Sequence, residues 1–449
     1  MKRVVDKFLY GSDPMLVDNP SGKNMNLLLV QGMLSTAMVI FTGGLFLTGL
    51  LIHLGASDTV VSMVEQLPNV CSVFILFFST LINNARSRKL FTIISGIVSK
   101  TFIISAVFVP LFVEKRIAVT LIFMLMTVGQ AIGILSMISY NTWFNGLIHE
   151  DIRGRVFSAR QTCCVIVTLI IQVGGAWYLD SVNHYFGFVV LYLCGAAVSL
   201  LELAVYFRID DVKPIPKEKM HTFLHAILLP LKNRRFMRFV ILMCAFQFFS
   251  HLSFAYCNVY VVRYIGLSFT YINLCSIICY SAQIFFFYKA WGKVVDKVGS
   301  RIVIVLTMLT FVPDAFAWAS ITKDTVWVIY PVLNFVGAIQ SGLTVGTFHK
   351  RFEIIPEEER AIYDSFYISV LGLTYLISPL TGRALQGIIM SIPSFAGIPN
   401  ANFRLTFIIT GILIGLLQIP NIREGNREDP DGKLFSIKNF SAIWDIFRS

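Results

Sequence analysis

The sequence predicts an all-α polytopic membrane protein of twelve transmembrane helices, arranged as two six-helix bundles. Of its 449 residues, 56% are hydrophobic and only 14% are charged, whereas an average soluble domain carries roughly a quarter charged residues. The apolar residues gather into about twelve runs of roughly 20 or more, each long enough to cross a hydrocarbon core of about 30 Å. Lipid tolerates only helices or a closed barrel, and continuous apolar runs without alternation select helices. A water-soluble globule is excluded.

The elements follow in order. Polar residues including Lys2, Arg3, Asp6, Lys7, Asp13 and Asp18 form an N-terminal tail over 1–25. The apolar run after it is too long for a signal core, so the first span is expected to be retained. Spans 1 to 6 are expected near 26–53, 59–82, 90–113, 117–146, 156–180 and 185–207, an N-terminal bundle over 26–207. Residues 208–236 are the sizeable polar interruption, a linker between halves. Within it Phe223, Leu224, Ala226, Ile227, Leu228 and Leu231 recur at near-helical spacing, which predicts a short helix at the membrane surface with Lys232, Arg234 and Arg235 among the headgroups. Spans 7 to 12 are expected near 237–262, 268–292, 302–321, 326–349, 362–390 and 402–421, a C-terminal bundle over 237–421 with a tail over 422–449.

The net charge of +11 is unevenly spread. About 30 of the 37 Lys and Arg fall on one side of these spans, and only Lys115, Arg116, Arg263, Lys323 and Arg404 fall opposite. That asymmetry predicts both termini in the cytoplasm and a place in the cell membrane. It also accounts for the basic balance without a nucleic-acid partner, while juxtamembrane cations suit anionic lipid headgroups. The 8 cysteines, Cys163, Cys164, Cys275 and Cys279 among them, lie in apolar spans without metal-ligand spacing and read as small core residues. No metal or cofactor is expected, and nothing resembles a P-loop, so neither ATP-driven transport nor an enzyme is expected.

An internal repeat organises the chain. His149-Glu150-Asp151-Ile152-Arg153-Gly154-Arg155-Val156-Phe157-Ser158 precedes span 5, and Pro356-Glu357-Glu358-Glu359-Arg360-Ala361-Ile362-Tyr363-Asp364-Ser365 precedes span 11, at an offset of 207. Acids suit a helix N-terminus. On the same offset Gly175 stands opposite Gly382, and Ser87-Arg88 after span 2 parallels Ser300-Arg301 after span 8. Two such halves with both ends on one side are related by an axis along the membrane normal, hence pseudo-symmetric bundles.

Between spans 8 and 9, Gly292-Lys293-Val294-Val295-Asp296-Lys297-Val298-Gly299-Ser300-Arg301 matches G-x-x-x-D-[RK]-x-G-x-[RK]. This resembles the signature loop of the major facilitator superfamily, and span count, central loop, repeated half and the Arg-Gly-Arg-Val-Phe-Ser segment agree over essentially the whole chain. Glycines at 292 and 299 permit a tight turn, and Asp296 can face a helix N-terminus and a guanidinium. The resemblance implies a latch in which Asp296, with Lys297 and Arg301 beside it, meets the start of span 5 near Arg153 and Arg155, with Asp364 at the equivalent start of span 11. The N-half loop, Ser79-Thr80-Leu81-Ile82-Asn83-Asn84-Ala85-Arg86-Ser87-Arg88, has Asn83 where the acid stands and should latch more weakly. Gln172-Val173-Gly174-Gly175 in span 5 lacks the proline and further glycines that mark proton/drug antiporters. Gly129 and Gly133, four apart in span 4, suit close helix approach.

The resemblance further implies that spans 1, 4, 7 and 10 line a cavity. Their polar residues are then the substrate-binding candidates: Gln31, Gln130, Asn141, Gln247, His251, Asn258, Asn334 and Gln340, with Ser35, Thr36, Ser136, Ser253 and Thr344. Interleaved with Phe41, Tyr140, Phe249, Tyr256 and Tyr260, such amides and hydroxyls suit a neutral or amphipathic organic solute. Each amide can equally serve as an interhelical hydrogen bond. Ionisable residues within spans are Glu65, Lys100, Glu202, Asp314 and Arg383, besides His251. Glu65 and Lys100 lie at similar depth, so a Glu65–Lys100 pair is the expected arrangement; the sharper alternative has Glu65 or His251 carry a coupling proton. Arg383 near its helix end can snorkel. The expected function is a monomeric secondary or facilitative transporter working by alternating access, with or without protons, against the alternative of a transporter-like receptor without turnover.

Overall fold

A backbone that crosses lipid must satisfy its own hydrogen bonds, and the chain does so as helices; no strand occurs among the described residues. The computed structural model describes residues 22–82, 87–148, 150–182, 184–211, 223–395 and 397–428, with Ser441, Ile443 and Ile446. Helices long and apolar enough to span a membrane are Asn24–His53, Asp58–Ser79, Arg88–Leu111, Lys115–Phe144, Ala159–Val182 and Tyr185–Arg208, then Phe269–Val298, Ser300–Ala319, Val326–Ile354, Glu357–Ser391 and Ala401–Arg423. The pair Arg234–His251 and Phe254–Ile265, bent by 43°, taken as one span supplies span 7 and makes twelve among the described residues. A short helix occupies Phe223–Lys232.

Local chemistry sets several of the starts. Ser57, Ser87, Asn233 and Ser268 each accept the backbone N–H three residues on, at 3.4, 3.2, 3.1 and 3.2 Å, and so cap spans 2, 3, 7 and 8. Both acidic repeats mark helix starts. Glu150 opens the 33-residue helix of span 5, and a 3-10 turn over Glu357–Glu359 leads into the 32-residue helix Arg360–Ser391.

The chain divides into two compact units at Phe223/Leu224. In the first, span 1 packs on spans 5 and 6, span 3 on spans 4 and 6, and span 2 on span 4. In the second, span 7 packs on 11 and 12, span 9 on 10 and 12, and span 8 on 10. The same five pairings therefore recur six spans apart, which is the duplication seen as packing.

Small residues and hydroxyls make these contacts, since apolar side chains alone gain little from each other in lipid. Spans 3 and 4 are stitched by Ser99 donating to the Gly129 carbonyl at 2.7 Å, Ser136 to Thr92 at 3.1 Å and Ser139 to Arg88 at 3.0 Å. A β-carbon on Gly129 would lie 2.7 Å from Ile103, so the expected close approach at this glycine is present. In the second unit the equivalent role falls to Gly346 of span 10, where a β-carbon would lie 2.9 Å from Ile304 of span 9. Large apolar side chains are left exposed, as Ile166, Ile170 and Trp177 are along span 5, which suits a segment surrounded by lipid.

Candidate functional site

Each unit begins with an interrupted span. In span 1 the helix Gly22–Thr42 stops at Gly43 and resumes as Gly44–His53, with Gly44 at φ 52. A β-carbon on Gly43 would lie 2.8 Å from the Val39 carbonyl, so only glycine permits this turn. The Tyr192 hydroxyl of span 6 donates to the Thr42 carbonyl freed there, at 3.0 Å. In span 7 the helix stops at His251, and Ser378 and Tyr256 tie the break to span 11: Ser378 donates to the Phe248 carbonyl at 2.5 Å and Tyr256 to the Pro379 carbonyl at 2.6 Å.

The repeated glycines sit at these breaks. A β-carbon on Gly175 of span 5 would lie 2.8 Å from the Phe46 ring just beyond the span 1 break. One on Gly382 of span 11 would run into the Leu252 carbonyl at the span 7 break. Discontinuous helices at corresponding positions of two halves put backbone polar groups inside the membrane, where a transporter binds solute.

Around the second break, Gln247 donates its amide to the Tyr375 hydroxyl at 2.8 Å, and the Tyr375 ring meets the His251 ring edge-on at 4.6 Å. His251 Nδ1 lies 3.1 Å from the carbonyl of Gln247. A carbonyl only accepts, so Nδ1 carries the proton and Nε2 remains an acceptor. The Ser253 hydroxyl is buried at 1% exposure without a partner. Amide, imidazole, phenol and hydroxyl thus lie on one bent span and span 11, and no Lys or Arg is paired with them among the described residues.

The first unit holds a buried charge cluster nearer the end of the spans that carries the tails. Lys100 of span 3 is ion-paired with Glu202 of span 6. Gln31 of span 1 donates to Glu202 Oε1 and to the Tyr206 hydroxyl, both at 2.9 Å. Beside it the Arg160 guanidinium of span 5 lies 5.5 Å from the Tyr140 ring centre and threads past Gly32. The second unit repeats the motif with the partners exchanged: Arg351 of span 10 stacks 5.0 Å from Tyr367 of span 11, whose position is equivalent to Arg160, and pairs with Asp364 at 2.7 Å.

The expected Glu65–Lys100 pair is therefore replaced by Lys100–Glu202, while Glu65 accepts from Thr48 at 3.4 Å. Glu65 and Lys100 share a similar depth, but the azimuth of span 3 turns Lys100 toward Glu202 of span 6. Of the other candidates, Gln340 donates to Asp314 at 2.9 Å and Asn334 to the Tyr330 carbonyl of its own helix at 2.9 Å. Gln130 and Asn258 are half-buried, and Asn141 is exposed. Asp296 and Lys297 are exposed at the end of span 8, Gly292 is half-buried, and Gly299 turns with φ 99. Arg301 donates to the Asn421 carbonyl at 3.1 Å. The side chains of Arg153 and Arg155, and the loop residue Asn83, lie outside the described residues. Sequence reasoning missed Arg160, Tyr206 and Tyr375. Arg160 was legible as a charge in an apolar run, whereas the tyrosines carried no signal apart from the contacts they make.

A family model described as Major Facilitator Superfamily matches residues 27–363. No curated protein matches the chain. Among solved structures, a mutant form of the nucleoside transporter NupG is similar at a TM-score of 0.66 and 12% identity, covering 90% of this chain and 99% of that one. A D-xylose-proton symporter follows at a TM-score of 0.61 and 15% identity, covering 89% and 97%. The inward-open xylose transporter XylE from E. coli gives 0.58 and 13%, covering 88% and 94%. At such identities the likeness is one of fold.

Proposed function

Since the chain belongs to the major facilitator superfamily, we propose that it is a secondary or facilitative transporter that moves a small neutral or amphipathic organic solute by alternating access. The paired interruptions of spans 1 and 7 carry this reading. A break replaces helical hydrogen bonds by groups that a solute can use, and its loosened backbone can change angle at low cost. The Gln247–Tyr375–His251 group supports a solute with hydroxyls or ring nitrogens over a phosphate or multivalent anion, because it offers donors and acceptors and no fixed positive charge. Nucleosides and pentoses, which the structural neighbours carry by name, are the first solutes to try.

The excess of Lys and Arg on one side supports both tails in the cytoplasm of a cell-membrane protein. Asp296, exposed after span 8, is assigned the gate-closing role of the signature loop.

The test is made on purified full chain in liposomes, with radiolabelled uridine and xylose followed in counterflow. In parallel, a single cysteine at Gln130 or His251, in a background without the native thiols, is exposed to impermeant reagents from each face. Counterflow with labelling from both faces is expected. Labelling from one face only, with no solute exchange, overturns the transporter reading in favour of a receptor.

A further inference from the structure

Of Glu65, Glu202, His251 and Asp314, all within spans, one is unlike the rest. Glu202 has both oxygens engaged, one by Lys100 and one by Gln31. Glu65 accepts from Thr48, and His251 turns Nδ1 to its own helix. Asp314 of span 9 is 7% exposed, its Oδ2 accepts the Gln340 amide at 2.9 Å, and its Oδ1 has no hydrogen-bond partner. No Lys, Arg or His lies within ion-pair distance of it among the described residues.

The groups that face span 9 near Asp314 do not supply a counter-charge. Span 10 offers Gln340, and beyond it Tyr330 against the Trp318 ring at 5.9 Å. On span 12, the Arg404 Nε donates to the Ala319 carbonyl at 2.8 Å and is thereby held at the far end. Span 8 brings Cys279 only as far as Gly337 of span 10. Span 7 contacts span 9 through Phe246 and Phe254 on Phe311. A bare carboxylate buried within a span needs a compensating group or a proton.

Two features suit a proton on Oδ1. Pro313 lies inside the helix just before Asp314, and its missing N–H deprives the Leu309 carbonyl of its usual helical donor, an acceptor little more than one turn away. Gln340 is the last residue of the helix Val326–Gln340, and span 10 resumes only at Gly342. The Ser341 hydroxyl between them is buried without a partner. The Gln340 amide that meets Asp314 therefore stands at the junction of the two helical segments of span 10, at a position expected to line the cavity.

We propose that Asp314 is a proton-binding site whose occupancy sets the position of Gln340, coupling proton binding to the solute site. An O–H bond forms on Oδ1 when a proton arrives from water, and the carboxylate becomes a neutral acid. Its Oδ2 is then a weaker acceptor. The Gln340 amide is released to a solute, and loss of the proton recaptures it. The coupling step rests on the transporter reading; the proton site does not.

The experiment has two arms. Infrared difference spectra of the purified full chain in detergent, recorded as pH is stepped, report protonated carboxylic acids without any solute. A titrating carboxylic band is expected in the wild type, absent in Asp314→Asn and moved to a different midpoint in Gln340→Leu, which leaves the acid in place should the first variant fold poorly. An unchanged band in both variants overturns the site. In liposomes with uridine or xylose, Asp314→Asn should retain exchange but lose accumulation driven by a pH gradient by about tenfold or more. Wild-type accumulation in that variant overturns the coupling. If the wild type moves neither solute, the transport reading fails for these solutes while the spectra still decide the proton site.

Discussion

Gly382 of span 11 lies against the Leu252 carbonyl of span 7 so closely that no side chain fits between them. The contact holds the span 7 break, and its repeat partner Gly175 holds the span 1 break against the Phe46 ring. The two contacts differ in compliance, because a carbonyl within a packed backbone cannot move aside as a ring can.

Gly382→Ala is accordingly expected to cost about 1–3 kcal/mol or more in stability and to abolish turnover. Gly175→Ala, which meets the side chains of Phe46 and Leu191 rather than backbone, should cost less. Thermal unfolding in detergent and counterflow in liposomes check both; equal effects would show that the backbone contact is not special.

The Lys100–Glu202 pair makes a sharper prediction. Glu202 is fully buried, with a side-chain exposure of 1%. Lys100→Met leaves its charge uncompensated and should destabilise by about 3–5 kcal/mol. The double variant Lys100→Met with Glu202→Gln should recover most of that loss. A double variant no better than the single one would mean that Gln31 and Tyr206, rather than the pair, set the stability.

A third prediction concerns the C-terminal tail. Ile446 is 6% exposed and buried with Trp291, Val294, Val295 and Val303, at the ends of spans 8 and 9. Ile443 packs on the same cluster. Ile446→Ala should lower stability by about 1–3 kcal/mol, and Ile446→Asp should release the tail to protease. Unchanged cleavage in the latter would remove the tail from the account.

Asp296→Asn is expected to lower counterflow while sparing yield and thermal stability, because the carboxylate is exposed and the proposed gate engages it in the working cycle rather than in the resting fold. Turnover equal to wild type would take Asp296 out of the gate.

How much was legible in the sequence follows the same division. A run of twenty apolar residues admits one structure in lipid, so the twelve spans could be read off with ends near those observed. The repeat was legible because duplication preserves spacing; Gly175 and Gly382 stood out as a pair before either had a contact. Position along a helix gives depth, however, and not azimuth. Depth alone therefore pairs Lys100 with Glu65, although the carboxylate that reaches it is Glu202 of span 6, far along the chain. The same limit hid Tyr375 beneath His251, and Asp314 beneath Gln340. By itself, then, the sequence determined the membrane, the spans, the two halves and the glycines, each a matter of local composition or spacing. Only the tertiary structure decided which polar groups meet, because that depends on how twelve helices rotate about their axes to bury them.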